Sequence, residues 1–306
     1  MTNAAASFVP EVLVIGEALV DVVEKGSWAT EHVGGSPANV ALGLGRRGVP
    51  TALLTQIGDD LYGQVIADHL ASSHVHVLPQ SITARPTSTA AAHIGTDGQA
   101  QYVFDVHWDS FTPPQTAARL IHTGSIAAFL HPGATAVQET LEQAGAVEIT
   151  FDPNIRPALL DDHASAVAAF EKTAGLATVV KMSDEDAAWL YPHQGIDFTI
   201  DAVLEHGPRL VAITLGAEGA VIATPNHRVR IPAEVVHAID TIGAGDTFMA
   251  SIIHSVLRTG TRDLDRTQLL HVGTDAVHAA AITVSRAGAD LPWAHDIDQH
   301  APSYTG

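Results

Sequence analysis

The sequence contains no cysteine, few basic residues and no long apolar run. Without cysteine, a disulfide scaffold, a thiolate zinc site, an iron–sulfur cluster and a thiol nucleophile are all excluded. Lysine and arginine total 15 against 34 acidic residues, and no basic stripe is present to neutralise phosphates, so we expect no nucleic-acid partner. Because no apolar run reaches the length of about 18 residues that a membrane span needs, we expect no membrane contact. Residues Met1–Pro10 lack a basic stretch followed by an apolar one, which predicts a cytoplasmic protein.

What is present is the composition of a compact globular protein. Hydrophobic residues make up 46% of the 306 residues and charged residues 16%. This length matches about two average domains, but one α/β domain often reaches it. The formal net charge of −19 mainly favours solubility. An anionic ligand would therefore have to be held by local features such as helix N-termini, backbone amides, a metal ion or a single arginine.

Short β-branched runs alternate with stretches of helical length that are rich in alanine and leucine. This alternation predicts a mostly parallel sheet with helices on both faces. The predicted strands are Val12–Ile15, Thr51–Ile57, Val147–Phe151, Thr178–Lys181 and Leu210–Leu215. The predicted helices are Pro37–Arg47, Tyr62–Ser72, Ala134–Ala144, Ala164–Thr173 and Asp246–Arg258.

Two stretches interrupt this alternation. Ser88–Ile94 and Gln99–Val106 flank the turn Thr96-Asp97-Gly98, a pattern typical of a β-hairpin. Asp21–Val33 also lacks a helical period. We interpret both as one small β lid, formed by about residues 21–34 and 86–107, over the carboxyl edge of the main sheet, where α/β folds bind ligands. Alternatively, they are two unrelated loops.

A glycine pattern at residues 43–48 (GLGRRG) matches the dinucleotide fingerprint but lies in the wrong place. That motif should follow a strand and open a helix, whereas this one lies at the end of a predicted helix. Ser36 is a suitable N-cap residue, Pro37 suits the first turn, and Gly48 suits the stop. We therefore expect the internal glycines to permit close packing of the helix and to bind no nicotinamide cofactor.

The most informative segment is Asp240–Phe248 (DTIGAGDTF), in which two glycines lead into an apolar helix. The first-turn amides of a helix lack intrahelical acceptors and lie at its positive end, so they can bind an anion. Asp246 lies in that first turn. It is either a charge that stabilises the helix or a general base beside an anion hole, the pairing that a kinase needs.

Two segments together resemble the PfkB (ribokinase-like) family of sugar and nucleoside kinases. Residues 240–248 are similar to its C-terminal signature, and Gly34–Ala41 (GGSPANVA) to its N-terminal signature. The resemblance covers essentially the whole chain. It implies one kinase domain over residues 1–306, with a three-layer α/β/α fold, a mostly parallel sheet and a β lid.

The resemblance also implies the roles of particular residues. Asp246 would be the catalytic base, with the amides of Gly243, Ala244, Gly245 and Asp246 as the anion hole. The family positions that bind sugar hydroxyls match Asp21, Gly34, Gly35 and Asn39. The alternative for Asn39 is a polar residue on an exposed helical turn.

Two further segments resemble family elements for nucleotide and phosphate. Ile213–Ala220 is similar to the nucleotide-binding turn, with Thr214, Gly216 and Gly219 as candidates, although a plain hairpin turn would use the same residues. Phe151–Pro157 (FDPNIRP) is similar to the fructokinase and ketodeoxygluconate-kinase branches. Its Arg156 is a candidate partner for a transferring phosphate or an anionic sugar; the alternative is a surface ion pair.

Metal sites rest on resemblance alone. Val180–Leu190 is similar to the fructokinase version of the family's N-x-x-E segment, which concerns magnesium and phosphate, and Lys181 is a further cofactor-binding candidate there. Here the pair is Ser183 and Asp186, so Asp186 would act on Mg²⁺ through water and Ser183 could simply be an N-cap. In ribokinase relatives, the positions matching Asp240, Ile242, Thr283, Arg286 and Gly288 surround a potassium ion.

The sequence thus predicts an ATP-dependent sugar kinase of the fructokinase-like branch, with fructose as the leading acceptor. Alternative acceptors for such a kinase are another sugar, ketodeoxygluconate or a nucleoside. An alternative outside the enzymes is a regulator that binds sugar without catalysing a reaction. An open edge of the lid would pair with a second copy, which predicts a homodimer. His107 and Trp108, beyond the hairpin, either touch the sugar or pack the lid.

Overall fold

The computed structural model describes residues 8–25, 28–94, 100–145 and 147–299. Strands and helices are numbered in chain order. The strands are β1 (Val12–Ile15), β2 (Leu19–Lys25), β3 (Trp28–Gly34), β4 (Thr51–Leu54), β5 (Ile57–Gly58), β6 (Val75–Val77), β7 (Ile82–Thr83), β8 (Thr89–Ile94), β9 (Ala100–Asp105), β10 (Leu120–Gly124), β11 (Glu148–Asp152), β12 (Val179–Ser183), β13 (Leu210–Thr214), β14 (Ala220–Ala223) and β15 (Arg228–Ile231). The helices are α1 (Ser36–Arg46), α2 (Leu61–Ser72), α3 (Ile126–Phe129), α4 (Gly133–Gln143), α5 (His163–Ala174), α6 (Asp184–Leu190), α7 (Ile196–Glu205), α8 (Ala244–Thr259), α9 (Arg266–Val284) and α10 (Ala294–Gln299).

Nine strands form the central sheet, in the order β15-β14-β13-β12-β11-β10-β1-β4-β6. Every neighbouring pair from β13 to β6 is parallel, whereas the pairs β13–β14 and β14–β15 are antiparallel, so β14 alone runs against the other strands of this sheet. The predicted mostly parallel sheet is therefore confirmed. The predicted strand at Thr51–Ile57 is in fact two strands, since β5 leaves the central sheet to pair with β7.

Helices cover both faces of this sheet, because alternate side chains of each strand point to opposite faces. In β1, Val12 and Val14 pack into a core with α1, α2, α8 and α9. Leu13 and Ile15 pack into a second core with α4, α5 and α7. All four side chains are at most 1% exposed. The expected three-layer architecture is thus confirmed.

A smaller sheet has the strand order β3-β2-β8-β9. Strands β8 and β9 pair antiparallel, which confirms the predicted hairpin, while its Asp97-Gly98 turn lies outside the described residues. Strand β2 joins the two hairpins by pairing antiparallel with β3 and parallel with β8. Strands β2, β3, β8 and β9 therefore form one sheet rather than two unrelated loops.

Helix α1 begins differently from the prediction. Its N-cap is Gly35, with φ of 102°, and Ser36 is already the first helical residue, so the predicted capping role of Ser36 is wrong. The internal glycines do permit close packing, as expected. A Cβ on Gly43 would lie 2.7 Å from Cδ2 of Leu291, and a Cβ on Gly45 would overlap the carbonyl oxygen of Ser73.

No helix in the described part of the chain combines the length and the apolar character that crossing a bilayer requires.

Candidate active site

A cavity of about 730 Å³ lies at the carboxyl edge of the central sheet, between the lid and the first turns of α1, α6 and α8. Open α/β sheets bind ligands at this edge, where the chain turns away from the strands. Most of the predicted site residues line the cavity: Asp21, Gly35, Asn39, Arg156, Lys181, Ser183, Asp186, Thr214, Gly216, Ile242, Gly243, Gly245 and Asp246. The other predicted residues lie outside its lining: Gly34, Gly219, Asp240, Ala244, Thr283, Arg286 and Gly288.

The first turn of α8 exposes backbone donors to this cavity. Gly243 is the N-cap, with a left-handed φ of 78° that favours glycine. The first intrahelical hydrogen bond runs from the amide of Thr247 to the Gly243 carbonyl, so the amides of Gly245 and Asp246 have no acceptor within the helix. The Ala244 amide, also predicted for the anion hole, instead donates to the Thr241 carbonyl at 3.2 Å.

Both carboxylate oxygens of Asp246 accept hydrogen bonds from the start of α1. The Ser36 hydroxyl donates to Oδ1 at 2.6 Å, and the Asn39 amide group donates to Oδ2 at 2.8 Å. Asp246 and Asn39 are each only 8% exposed, so the alternative that places Asn39 on an exposed turn is wrong. These bonds hold the carboxylate beside the donors of α8, within a cavity large enough for a sugar and part of a nucleotide.

The lid contributes a second carboxylate. Asp21 lies in β2 and lines the cavity. Burial raises the pKa of Asp21, and the positive charge of Arg156 opposes that rise. A Cβ on Gly34 would overlap Oδ2 of Asp21. Gly34 therefore leaves space for this carboxylate without lining the cavity itself.

Arg156 places a cation in the cavity wall. Its guanidinium donates to Oδ1 of Asn154 at 2.8 Å and to the carbonyls of Asn154 and Ile155. No carboxylate of the described residues forms a salt bridge with it, so the structure does not support the surface ion pair that the sequence left open. Its other nitrogen donors remain available for an anion in the cavity.

Ser183 and Asp186 form a capping box at the start of α6. Asp186 Oδ2 accepts hydrogen bonds from the amide and the hydroxyl of Ser183, and Oδ1 accepts one from the amide of Ile155 at 2.7 Å. Ser183 is therefore the N-cap of α6, as the alternative interpretation had it. With three donors already on its carboxylate, Asp186 fits Mg²⁺ through a water ligand better than directly, and Mg²⁺ usually keeps several waters.

The candidate nucleotide turn is divided between the cavity and the body of the fold. Thr214 and Gly216 line the cavity at the end of β13. Gly219 lies away from it with φ of 93°, and a Cβ there would overlap the carbonyl oxygen of Ile231. The close approach of β15 is thus sufficient to explain why residue 219 is glycine.

Two of the predicted potassium ligands, Asp240 and Gly288, are hydrogen-bonded to each other near the α8 turn. Asp240 accepts hydrogen bonds from the amides of Ile242 at 3.1 Å and Gly288 at 3.0 Å, and these bonds lower its pKa. The carbonyls of Thr283 and Gly288 each accept one backbone amide, from Arg286 and Asp290. A carbonyl oxygen has two lone pairs, so these groups fit a monovalent cation.

The sequence reasoning missed a buried carboxylate behind the cavity. Asp152 ends β11 and is 1% exposed, and its Oδ2 accepts a 2.8 Å hydrogen bond from the ammonium of Lys181 in β12. The signal was a lysine within the apolar run Val179–Met182, since an unpaired lysine is rarely buried. Lys181, predicted to bind the cofactor, is thus also half of a buried ion pair.

Two residues past the lid hairpin lie outside the cavity lining. Trp108 is 2% exposed and packs against Gly133 and Phe111. The Nε2 atom of His107 lies 2.7 Å from the carbonyl oxygen of Pro86. These contacts agree with the packing role that the sequence left open for them.

The comparisons with family models and with known proteins all indicate the same family. The model of the pfkB family carbohydrate kinases matches residues 9–296. A fructokinase of Rhizobium leguminosarum bv. trifolii is 37% identical over 262 residues, covering 80% of this chain and 79% of that protein. A fructokinase of Salmonella typhimurium is 30% identical over 304 residues, covering 94% of this chain and 98% of that protein.

Solved structures show the same fold. An uncharacterised sugar kinase of Pyrococcus horikoshii in complex with ATP superposes with a TM-score of 0.80 at 26% identity, covering 95% of this chain and 98% of that one. A fructokinase of Vibrio cholerae O395, bound to fructose, ADP and a potassium ion, gives a TM-score of 0.74 at 26% identity, covering 92% of this chain and 95% of that one. The expected ribokinase-like fold is confirmed, and the chain is an ATP-dependent sugar kinase that belongs to the pfkB family of carbohydrate kinases.

Proposed function

We propose that this enzyme transfers the γ-phosphoryl group of ATP to the primary hydroxyl of fructose, giving fructose 6-phosphate, with Asp246 as the general base. The observation that supports this most directly is the position of Asp246 in a cavity that also receives the free amides of the α8 turn. A carboxylate within reach of an acceptor hydroxyl, beside donors for the transferring phosphoryl group, is the pairing that phosphoryl transfer requires. Fructose is favoured because several fructokinases are among the similar proteins.

In this proposal the acceptor sugar lies between the lid and α1. The side-chain nitrogen of Asn39 donates to Asp246, so the side-chain oxygen of Asn39 can accept a hydrogen bond from a sugar hydroxyl. The carboxylate-bearing Asp21 lines the same cavity. The sugar's primary hydroxyl gives its proton to Asp246 as its oxygen attacks the γ-phosphorus, and ADP leaves. Closure of the lid would exclude water, which otherwise competes as acceptor.

The remaining cavity residues suit the nucleotide and its cations. Thr214 and Gly216 would contact ATP, and Arg156 would neutralise charge on the transferring phosphoryl group. Asp186 would hold Mg²⁺ through water, and the bound ion would neutralise phosphate charge. A potassium ion would be held by Asp240 and the carbonyls of Ile242, Thr283, Arg286 and Gly288.

The open edges of the lid support a homodimer as part of this proposal. Strands β3 and β9 are the outer strands of the four-stranded lid sheet, and each leaves one edge unpaired within the described chain. Such an edge is a template for pairing with a second copy. Sedimentation analysis at micromolar concentration tests for the homodimer. A protein that is monomeric both without sugar and with sugar would contradict this proposal.

The central experiment is a coupled assay of ADP formation with fructose, ribose, glucose, 2-keto-3-deoxygluconate and adenosine. We expect fructose to give the highest kcat/KM, and Asp246→Asn to lower kcat by roughly 1,000-fold or more because no base remains. Fructose binding, measured by calorimetry, should largely persist in this variant. The exposed Asp68 provides a matched control, since Asp68→Asn changes a carboxylate that is remote from the cavity.

Each part of the proposal has its own contradicting result. A higher kcat/KM with another acceptor would replace fructose but keep the kinase. Near-normal turnover by Asp246→Asn would remove Asp246 from the role of base. Sugar binding without ADP formation from any acceptor would identify a sugar-binding regulator instead.

A further inference from the structure

A buried ion pair lies directly beneath the first turn of α8. Lys181 and Asp152 have side chains only 5% and 1% exposed, and their charged atoms are 2.8 Å apart. Lys181 is one of three lysines in the sequence, and it lies in the interior strand β12. The burial of one of so few lysines, in a chain of net charge −19, requires an explanation.

The ammonium group points at the helix turn proposed as the anion hole. A Cβ placed on Gly245 would lie 3.0 Å from Nζ of Lys181, so the ammonium fits into the space that glycine leaves. Asp152 holds it there from the neighbouring strand, because β11 and β12 are parallel and both end at this edge of the sheet. Asp152 lies outside the cavity lining, whereas Lys181 is part of it.

Three buried carboxylates act on this ammonium electrostatically: Asp152, Asp186 and Asp246. Although burial alone would lower the pKa of Lys181, the negative charges of all three raise it. Burial raises the pKa of Asp152 to about 6, with the charge of Lys181 opposing the rise. The acidic neighbours thus favour the charged form of Lys181, whose ammonium lies 2.8 Å from Oδ2 of Asp152.

Stability alone explains such a pair poorly. Removing two charges from water costs several kcal/mol for each, so a buried ion pair is often no more stable than apolar residues of similar volume. In addition, Oδ1 of Asp152 is buried without a hydrogen-bond partner in the described part of the chain. The arrangement suits a site where negative charge develops during the reaction, because a fixed cation in a dry environment stabilises that charge strongly.

We propose that Lys181 supplies a fixed positive charge beneath the Gly245 turn, which stabilises the transferring phosphoryl group, and that Asp152 is the positioning residue that holds this ammonium in place. The inference rests on the proposed function and adds to it a source of charge that does not depend on a bound metal. Because the ammonium acts on charge that grows in the transition state, its loss lowers kcat more than it raises KM for ATP.

The test compares four variants by kcat, KM for ATP and thermal midpoint. Lys181→Met removes the charge but leaves Asp152 buried and unpaired, so it lowers stability as well as activity. The double variant Lys181→Met/Asp152→Asn leaves no charged group of the pair and should recover most of that stability. Asp152→Asn alone keeps the ammonium. The exposed Lys172 gives the control Lys172→Met, which removes a lysine far from the cavity.

We expect kcat of the double variant to stay roughly 10- to 100-fold below wild type, with KM for ATP changed by less than about threefold. Asp152→Asn should lose less kcat than either variant that lacks Lys181, and Lys172→Met should lose none. A double variant with wild-type kcat would overturn the inference, since the pair would then serve the fold alone. A rise in KM with unchanged kcat would also overturn it, because that result indicates uniform binding of ATP.

Measuring Asp246→Asn in parallel separates this inference from the proposed function. If Asp246→Asn is inactive and the double variant has normal kcat, only the role of Lys181 fails. If Asp246→Asn itself turns over normally, the proposed base fails first, whatever the Lys181 variants show.

Discussion

The Ser36 hydroxyl donates a 2.6 Å hydrogen bond to Oδ1 of Asp246, a residue 210 positions away in the sequence. Gly35 caps α1 in its place, at a φ of 102° that a side chain would rarely adopt. The hydroxyl of Ser36 therefore does not cap the helix and can donate to the Asp246 carboxylate. This bond and the one from Asn39 orient Asp246 before any substrate arrives.

We predict that Ser36→Ala lowers kcat by roughly 10-fold, because a hydrogen bond to a charged group contributes about 1.5–3 kcal/mol and part of that orients the base. KM for ATP should change little, since Ser36 lies on the α1 side of the cavity. Steady-state kinetics with saturating sugar measures both values. A matched control is Ser251→Ala in α8, because Ser251 is also buried but its hydroxyl has no hydrogen-bond partner in the described chain. Equal kcat for the two variants would show that orientation by Ser36 is unimportant.

Much of the architecture was predictable because its signals are local. The buried parallel strands are continuous apolar runs, and the helices between them follow composition closely. The predicted Tyr62–Ser72 and Ala164–Thr173 differ from α2 and α5 by a single residue at one or both ends. The hairpin of β8 and β9 also had a local turn signal. The pairing of this hairpin with β2 had no such signal, because strands that are distant in sequence contain no local pattern that identifies their partner.

A site residue was predictable from the sequence only where its residue type and its neighbours indicate a single role. Asp246, between a glycine turn and an apolar helix, was such a case. Ser36 was not, because a serine before a helix is equally suited to capping, and the structure gives that position to Gly35. Asp152 lies within the segment Phe151–Pro157, but the sequence assigned no role to it. Its pairing with Lys181 depends on the lateral order of β11 and β12, which composition does not determine.

A pH dependence of stability is expected from Glu17, which follows β1 behind the cavity and is 4% exposed. Burial raises its pKa from 4.5 to about 7, opposed by a hydrogen bond from Ser125, one from the amide of Ala127, and the charge of Arg156. The unfolded chain thus loses this proton at a lower pH than the folded protein does. The contribution of Glu17 to the free energy of unfolding is complete below pH 4.5 and is lost as the pH rises to about 7.

Glu17→Gln should remove this dependence. Between pH 5 and pH 8, the free energy of unfolding of the wild type should fall by about 2.5 kcal/mol relative to that of the variant. Urea titrations at both pH values measure the difference. The exposed Glu139 gives the control Glu139→Gln, which removes a carboxylate from the surface of α4. A difference between Glu17→Gln and wild type that does not change with pH would contradict a raised pKa at Glu17.

The Gly245 position should tolerate no side chain during catalysis. No left-handed backbone requires glycine there, but a Cβ would lie 3.0 Å from Nζ of Lys181 and beside the free amides of the α8 turn. We predict that Gly245→Ala lowers kcat by roughly 10- to 100-fold while the thermal midpoint falls little, because alanine favours helices. In the control Gly195→Ala, the added methyl group meets no atom within 4 Å at the N-cap of α7. Unchanged kcat in Gly245→Ala would place the transferring phosphoryl group elsewhere.

Arg156 should act on the anionic substrate rather than on the fold. Its guanidinium is held by Asn154, lines the cavity and forms no salt bridge with a carboxylate among the described residues. We predict that Arg156→Gln lowers kcat/KM for ATP by roughly 10-fold or more, because a charge-assisted contact to phosphate is lost, with little change in thermal midpoint. Wild-type kcat/KM should also fall with rising salt more steeply than that of the variant.

The matched control for Arg156 is Arg119→Gln. Arg119 is exposed and pairs with Glu11 before β1, at the opposite edge of the central sheet. Arg119→Gln and Arg156→Gln each remove one positive charge, so the two variants have the same net charge. Any effect of net charge alone therefore appears in both variants. If both variants lose kcat/KM equally, the effect of Arg156 is long-range attraction of ATP and not a contact in the site. If only Arg156→Gln loses it, with the weaker salt dependence, the cation acts on the phosphates within the cavity.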